Sequence, residues 1–302
     1  MTKKPRLIAI AGILLPLIGG TGVEAQLKNL GPTLPVTAPP KLLLLVHQQI
    51  RFGSELAREK LEMASAAAYD RLNVPISWID MQSITGAPEA VFFDPMNSYE
   101  DMDTDLAVFG QLFAEHPELS AQQEKIKTLV SSERTIVAVR RDDISYRAAS
   151  IDLSKARFMR TLEVHLRPGH EGDFAEAFKI LAGAYEKMDS DTPWVVYQVN
   201  AGSPSPCFFA FIPMHALRQN DDLLSRGPKL RESEGEDGSR RMLQIASAYY
   251  VSTESNVYAI SPAMSHVSKE FAAANPDFWR KPVSATSKKS QDHIADAPAP
   301  KD

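Results

Sequence analysis

Cysteine is nearly missing from this 302-residue chain. Cys207 stands alone, which excludes an intrachain disulfide and any zinc or iron–sulfur site built from several thiolates. Basic residues are outnumbered, 33 Lys and Arg against 38 Asp and Glu, for a net charge of −5. A grip on nucleic acid needs clustered cations, so polynucleotide partners are excluded as a class. The chain has no Gly-rich phosphate loop after a strand, no Gly-x-Ser-x-Gly elbow and no His-x-x-x-His pair. Long apolar runs are scarce too. The uncharged run over residues 7–20 is interrupted by Pro16, Gly19 and Gly20 and falls short of the roughly 20 residues that span a bilayer.

That run follows Lys3, Lys4 and Arg6 and precedes Val23-Glu24-Ala25, the pattern of a secretory signal cleaved after Ala25. Export to the periplasm or beyond is the expectation, with no stable membrane anchor after cleavage. Losing three cations and one carboxylate would take the charge from −5 to −7. An exported chain without disulfides depends on its core and its backbone ladders. Cys207, in the apolar run Cys-Phe-Phe-Ala-Phe-Ile, reads as a packed and inert thiol.

Residues 26–40, with Pro32, Pro35, Pro39 and Pro40, suit an extended linker, and residues 284–302 have almost nothing apolar to bury and read as a disordered tail. Between them the chain resembles itself. A shift of 118 places Leu44, Val46 and His47 on Leu162, Val164 and His165, Pro75 on Pro193, Pro88 on Pro206, and Pro95-Met96 on Pro213-Met214. Proline fixes φ and removes a donor, so matched prolines mark matched strand and turn edges.

Periodicity assigns the first repeat, residues 41–142, a strand at 42–49, a helix at 54–72, strands at 76–84 and 90–93, helices at 98–116 and 119–132 broken at Pro117, and a strand at 135–140. After a polar linker at 143–156, the second repeat at 157–262 has strands at 160–167, 194–200, 207–212 and 256–260. Its helices fall at 171–188 and around 215–249, with the charged stretch 231–241 expected as a solvated loop. Residues 263–283 form a C-terminal segment in which the aromatic stretch 271–279 is expected to fold back as a clamp, or else to dock a partner.

This β-α-β-β-α-β unit, present twice, resembles the dimeric α+β barrel superfamily, with both halves in one chain. The resemblance covers about residues 41–262 and rests on element order rather than on a catalytic motif. It implies an α+β fold in which two ferredoxin-like units form an intramolecular pseudo-dimeric barrel, each sheet covering the other's bare face. The superfamily includes cofactor-free oxygenases of aromatic compounds, small-molecule isomerases, and haem-carrying chlorite dismutase and dye-decolourising peroxidase branches.

Alternation along the strands separates the faces. Leu44 and Val46 share the helix-covered face; Leu43, Leu45, His47 and Gln49 share the other. In the second repeat Leu162, Val164 and Leu166 alternate with Thr161, Glu163, His165 and Arg167. Glu163, His165, Arg167 and His47 therefore point between the sheets, and neighbouring strands add Asp80, Tyr197 and Gln198. One reading is a pocket for a small, partly apolar molecule, with His165 as acid/base and Arg167 holding an anion, because imidazole titrates near neutrality. The other is a non-catalytic secreted interaction protein whose polar row only fixes how the halves dock, with Glu163 neutralising Arg167. A cavity touching His165 favours the first; interdigitated side chains favour the second.

Cofactor signals are weak. His165 and His170 with Glu163 or Glu171 make a loose metal set, and Gly235-Glu236-Asp237-Gly238 has the wrong spacing for the peroxidase motif. His215 and His266 are the remaining axial candidates for haem. The expectation is no cofactor and no metal. Further pairing into a homo-oligomer stays open.

Overall fold

A computed structural model describes residues 37–279. The segment expected as a secretory signal, most of the Pro-rich stretch expected as a linker and the whole stretch after residue 279, including the expected disordered tail, lie outside the described residues. The chain alternates β1 (Leu42–Ile50), α1 (Glu55–Leu72), β2 (Trp78–Ser83), β3 (Glu89–Met96), α2 (Tyr99–Glu115), α3 (Pro117–Leu129) and β4 (Val130–Arg140). The second half runs through β5 (Phe158–Leu166), α4 (Glu171–Lys187), β6 (Val195–Ala201), β7 (Cys207–Met214), α5 (Gln219–Ser225), α6 (Gly227–Tyr249) and β8 (Tyr250–His266). Two short helices, α7 (Lys269–Ala274) and α8 (Pro276–Trp279), follow. Among the described residues, no helix is long and apolar enough to cross a membrane.

The eight strands close into one antiparallel barrel in the order β1-β3-β2-β8-β5-β7-β6-β4. Strands of each half are neighbours, and the halves meet along β2–β8 and β4–β6. Closure removes both exposed edges, which satisfies backbone donors that an open sheet would leave to water or to another chain. Helices cover the outside. Phe174 and Phe178 of α4 pack on Phe208 and Trp194, while Tyr69, Val108 and Leu112 pack around Trp78.

Local chemistry explains the element ends. Ser98 caps α2 by accepting from the Asp101 N–H, and Pro117 opens α3 at a position where a missing N–H costs nothing. Two expectations are corrected here. The stretch 231–241 is helical: α6 runs through it, bent at Gly235 (φ 74°), because Arg241 pairs with Asp173 and Glu176 of α4. The strand expected at 256–260 is β8, which spans 17 residues because it pairs with β5 along its first part and with β2 along its last.

The barrel has two unlike ends. Leu43, Leu45, Phe93, Ala138 and Phe211 fill one end, and the linker between the halves and the C-terminal helices close it with Leu153, Phe271 and Trp279. Trp279 donates its indole N–H to the Ser154 carbonyl at 2.7 Å. At the other end the inward positions turn polar.

Candidate functional site

That polar end encloses a cavity of about 480 Å³ whose walls include His47, Glu89, Glu163, His165, Phe209 and Tyr258. It sits where β1 and β5 end and where β3, β7 and β8 begin, so residues from both halves converge on it. Three carboxylates, Glu89, Glu163 and Glu254, face one guanidinium, Arg134. Phe209 and Phe211 supply an apolar wall.

On one wall, the His47 Nδ1 lies 2.8 Å from Glu89 Oε1, and the Tyr258 hydroxyl donates to Glu89 Oε2 at 2.7 Å. Burial would raise the Glu89 pKa, yet the His47 and Tyr258 hydrogen bonds and the His47 charge outweigh it and hold the carboxyl below its usual range. An ionised carboxylate only accepts, so Nδ1 carries a proton, and in the neutral form of the ring the lone pair is at Nε2. That Nε2 is buried and has no hydrogen-bond partner. Burial and the adjacent Glu89 charge push the Tyr258 phenol well above its ordinary value, which keeps it a donor. The His47 ring also lies against Phe209, centroids 5.9 Å apart.

On the opposite wall, His165 Nε2 lies 2.8 Å from Glu163 Oε1 and its Nδ1 lies 3.2 Å from the Pro204 carbonyl. Cys207, fully buried, places its sulfur 3.7 Å from Glu163 Oε1 and 3.6 Å from His165 Nε2. Burial first, and then the Glu163 charge, push the thiol up to about 12, so it is no nucleophile.

The other residues singled out by alternation go elsewhere. Arg167 follows the end of β5, is exposed and does not line the cavity, so Glu163 pairs with His165 in its place. Asp80 is fully buried but faces the helices: Ile79 and Met81 take the inward positions of β2, and Asp80 lies 4.0 Å from Arg58 of α1. Burial raises its pKa to about 6 against the Arg58 charge and the Gln82 hydrogen bond. Gln198 also faces outward and accepts from Arg141 at 2.6 Å. Tyr197 points inward at the apolar end, where its hydroxyl donates to the Pro40 carbonyl at 2.8 Å. His170 precedes α4, bonds Asp173 and stacks on Tyr249, away from His165. Reading the sequence missed Glu89 and Tyr258. The strand assigned to residues 90–93 began one position late, and the one at 256–260 stopped short of showing β8 as a wall of the barrel.

No protein-family model matches this sequence, and no curated protein does. Solved structures do share the fold. An anthrone oxidase-like protein aligns over 75% of this chain and 94% of its own, at 13% identity and a TM-score of 0.51. A protein assigned as a monooxygenase from Lactobacillus acidophilus NCFM aligns over 72% and 93% at 8% identity and a TM-score of 0.43. A haem-binding protein from Thermus thermophilus aligns over 74% and 94% at 9% identity and a TM-score of 0.40. The molecule is thus a mixed α+β protein with an eight-stranded antiparallel barrel, a fold it shares with the anthrone oxidase-like protein.

These comparisons correct the expectation of a barrel without a cofactor, since a haem-binding protein is among the structures of similar fold. An iron porphyrin requires an imidazole nitrogen free of other partners, with the second ring nitrogen donating to a carboxylate or carbonyl. His47 meets both conditions. His266 does not, because Asp70 and the Val74 carbonyl engage its two nitrogens, and His215 is exposed outside the barrel.

Proposed function

We propose that the protein is an enzyme of oxygenase or oxidase type that takes a small, partly apolar aromatic molecule into the inter-sheet cavity and removes a proton from it at His47 Nε2. The observation that carries this reading is a buried imidazole nitrogen with no partner, in a ring whose other nitrogen is held by an ionised carboxylate. Glu89 fixes the tautomer and stabilises the imidazolium that forms, and Tyr258 holds Glu89 in place. Phe209 and Phe211 offer faces for an aromatic ring. Three carboxylates against one guanidinium favour a neutral or cationic ligand over an anion. If haem is carried, His47 would hold it through Nε2, and the group would supply a redox-active iron; the carboxylate behind His47 serves that role as well.

The two halves are read as descendants of one β-α-β-β-α-β unit, because their strands recur in the same order and His47 and His165 fall 118 residues apart on corresponding strands. The interaction-protein alternative has less support, since a polar docking seam would fill with side chains and this one encloses a cavity.

Anthrone, a tricyclic ketone with acidic methylene protons, is the probe that the anthrone oxidase-like relative in fold suggests. The purified full chain should consume dioxygen in its presence, and His47→Gln should slow consumption by about 100-fold or more. An absorbance spectrum of the same sample shows whether haem accompanies the protein. No binding and no uptake of oxygen with anthrone, or His47→Gln at the wild-type rate, would overturn the reading.

A further inference from the structure

We propose that Glu163, His165 and Cys207 form a three-ligand site for a divalent transition-metal ion of zinc type, with its fourth coordination position open to the cavity. One ligand atom from each residue lies within 4.8 Å of the others. A tetrahedral ion with a metal–sulfur bond of about 2.3 Å and metal–nitrogen and metal–oxygen bonds of about 2.1 Å would set sulfur about 3.6 Å from its nitrogen and oxygen neighbours. The observed sulfur separations are 3.6 Å to His165 Nε2 and 3.7 Å to Glu163 Oε1. Only the 2.8 Å nitrogen–oxygen separation is short of the roughly 3.4 Å such an ion requires. That edge is closed by the shared proton that a metal would replace.

Three further features support the assignment. The ligands sit on paired strands: Glu163 and His165 are two apart on one face of β5, and Cys207 is the ladder partner of His165. Both nitrogens of His165 face oxygen acceptors, Glu163 and the Pro204 carbonyl. A neutral imidazole can donate to only one of them. With the ion on Nε2 and the proton on Nδ1, the ring donates to Pro204, which is the outer-shell contact that metal-bound histidines use. Glu163 is also directly opposite Glu254 in the β5–β8 ladder, with both side chains on the cavity, and like charges so placed repel. A dication would offset that repulsion.

Binding balances as follows. The ion takes the thiolate sulfur, Nε2 and a carboxylate oxygen. The ring proton moves from Nε2 to Nδ1, and the thiol proton is released to solvent. Glu163 and His165 are on the cavity wall, so a water or a ligand oxygen can complete the shell. The site is separate from the His47 wall, and His47→Gln should leave metal binding intact even if the proton-transfer reading fails.

The test is titration of the full chain with Co²⁺ and Zn²⁺. Because Cys207 is the chain's one cysteine, a thiolate-to-cobalt charge-transfer band can arise from nowhere else. The expected result is one ion per chain with that band, lost in Cys207→Ser, and zinc affinity at least tenfold weaker in His165→Gln. X-ray absorption on zinc-loaded wild-type protein should show one sulfur at about 2.3 Å, a readout that needs no variant to fold. A zinc shell of nitrogen and oxygen alone, or a cobalt spectrum unchanged in Cys207→Ser, would overturn the site.

Discussion

Arg58 is almost fully buried under the barrel wall, and its guanidinium lies 3.3 Å from Glu62 and 4.0 Å from Asp80 while donating to Gln48. Burial raises the Glu62 pKa from 4.5 to about 7, against the pull of the Arg58 charge. Because the folded state holds this proton more tightly than the unfolded chain, the group favours folding at low pH and loses that contribution as pH rises from 4.5 to about 7. The stability of wild type relative to Glu62→Gln should therefore fall by something on the order of 3 kcal/mol across that window and stay level above it. Urea denaturation at a series of pH values checks this, and a difference independent of pH would refute it. At the same scale, strand alternation was enough to place His47, Glu163 and His165 on the inward face. It misplaced Asp80 because a strand's face depends on a register that one residue's error inverts. Cys207 read as an isolated apolar thiol, since its neighbours Glu163 and His165 are more than forty residues away along the chain.

At the scale of elements, the β4–β6 seam depends on a single glycine. Gly202 has φ +92°, and a Cβ there would meet the Thr135 carbonyl oxygen at 2.0 Å and Ile136 Cα at 2.9 Å. Backbone cannot swing aside as a side chain can. Gly202→Ala should cost on the order of 3 kcal/mol in a denaturant melt. Gly86→Ala should cost less, since its nearest obstacle is the Asn256 side-chain oxygen at 2.8 Å. Equal costs would mean that the seam is not the constraint. Most helices and strands were legible from periodicity and from caps such as Ser98 and Pro117. Two were not, for one reason. The charged stretch in α6 is helical because Arg241 finds Asp173 and Glu176 on another helix, and β8 is long because two strands pair with it. Both depend on partners that a local window does not contain.

At the scale of the molecule, one end of the barrel is sealed and the other is hollow, and the seal is built from segments that follow β4 and β8. Phe271 and Trp279 pack edge to face, centroids 5.0 Å apart, over Leu153 and Ala156. Trp279→Ala removes this packing and leaves the Ser154 carbonyl without its indole donor, so a loss of about 3–5 kcal/mol in urea denaturation is expected. A loss under about 1 kcal/mol would show that the barrel closes without the C-terminal helices. By itself the sequence determined the alternation of strands and helices, the lack of disulfides and the facing of Glu163, His165 and His47, because these follow from the backbone's short periods and from composition. The barrel itself was expected from the resemblance; only the tertiary structure decided that the halves join edge to edge along β2–β8 and β4–β6, that Glu89 and Tyr258 hold His47, and that Cys207 meets Glu163 and His165. Those contacts join distant segments through strand register, and register is settled by the whole set of ladders closing together.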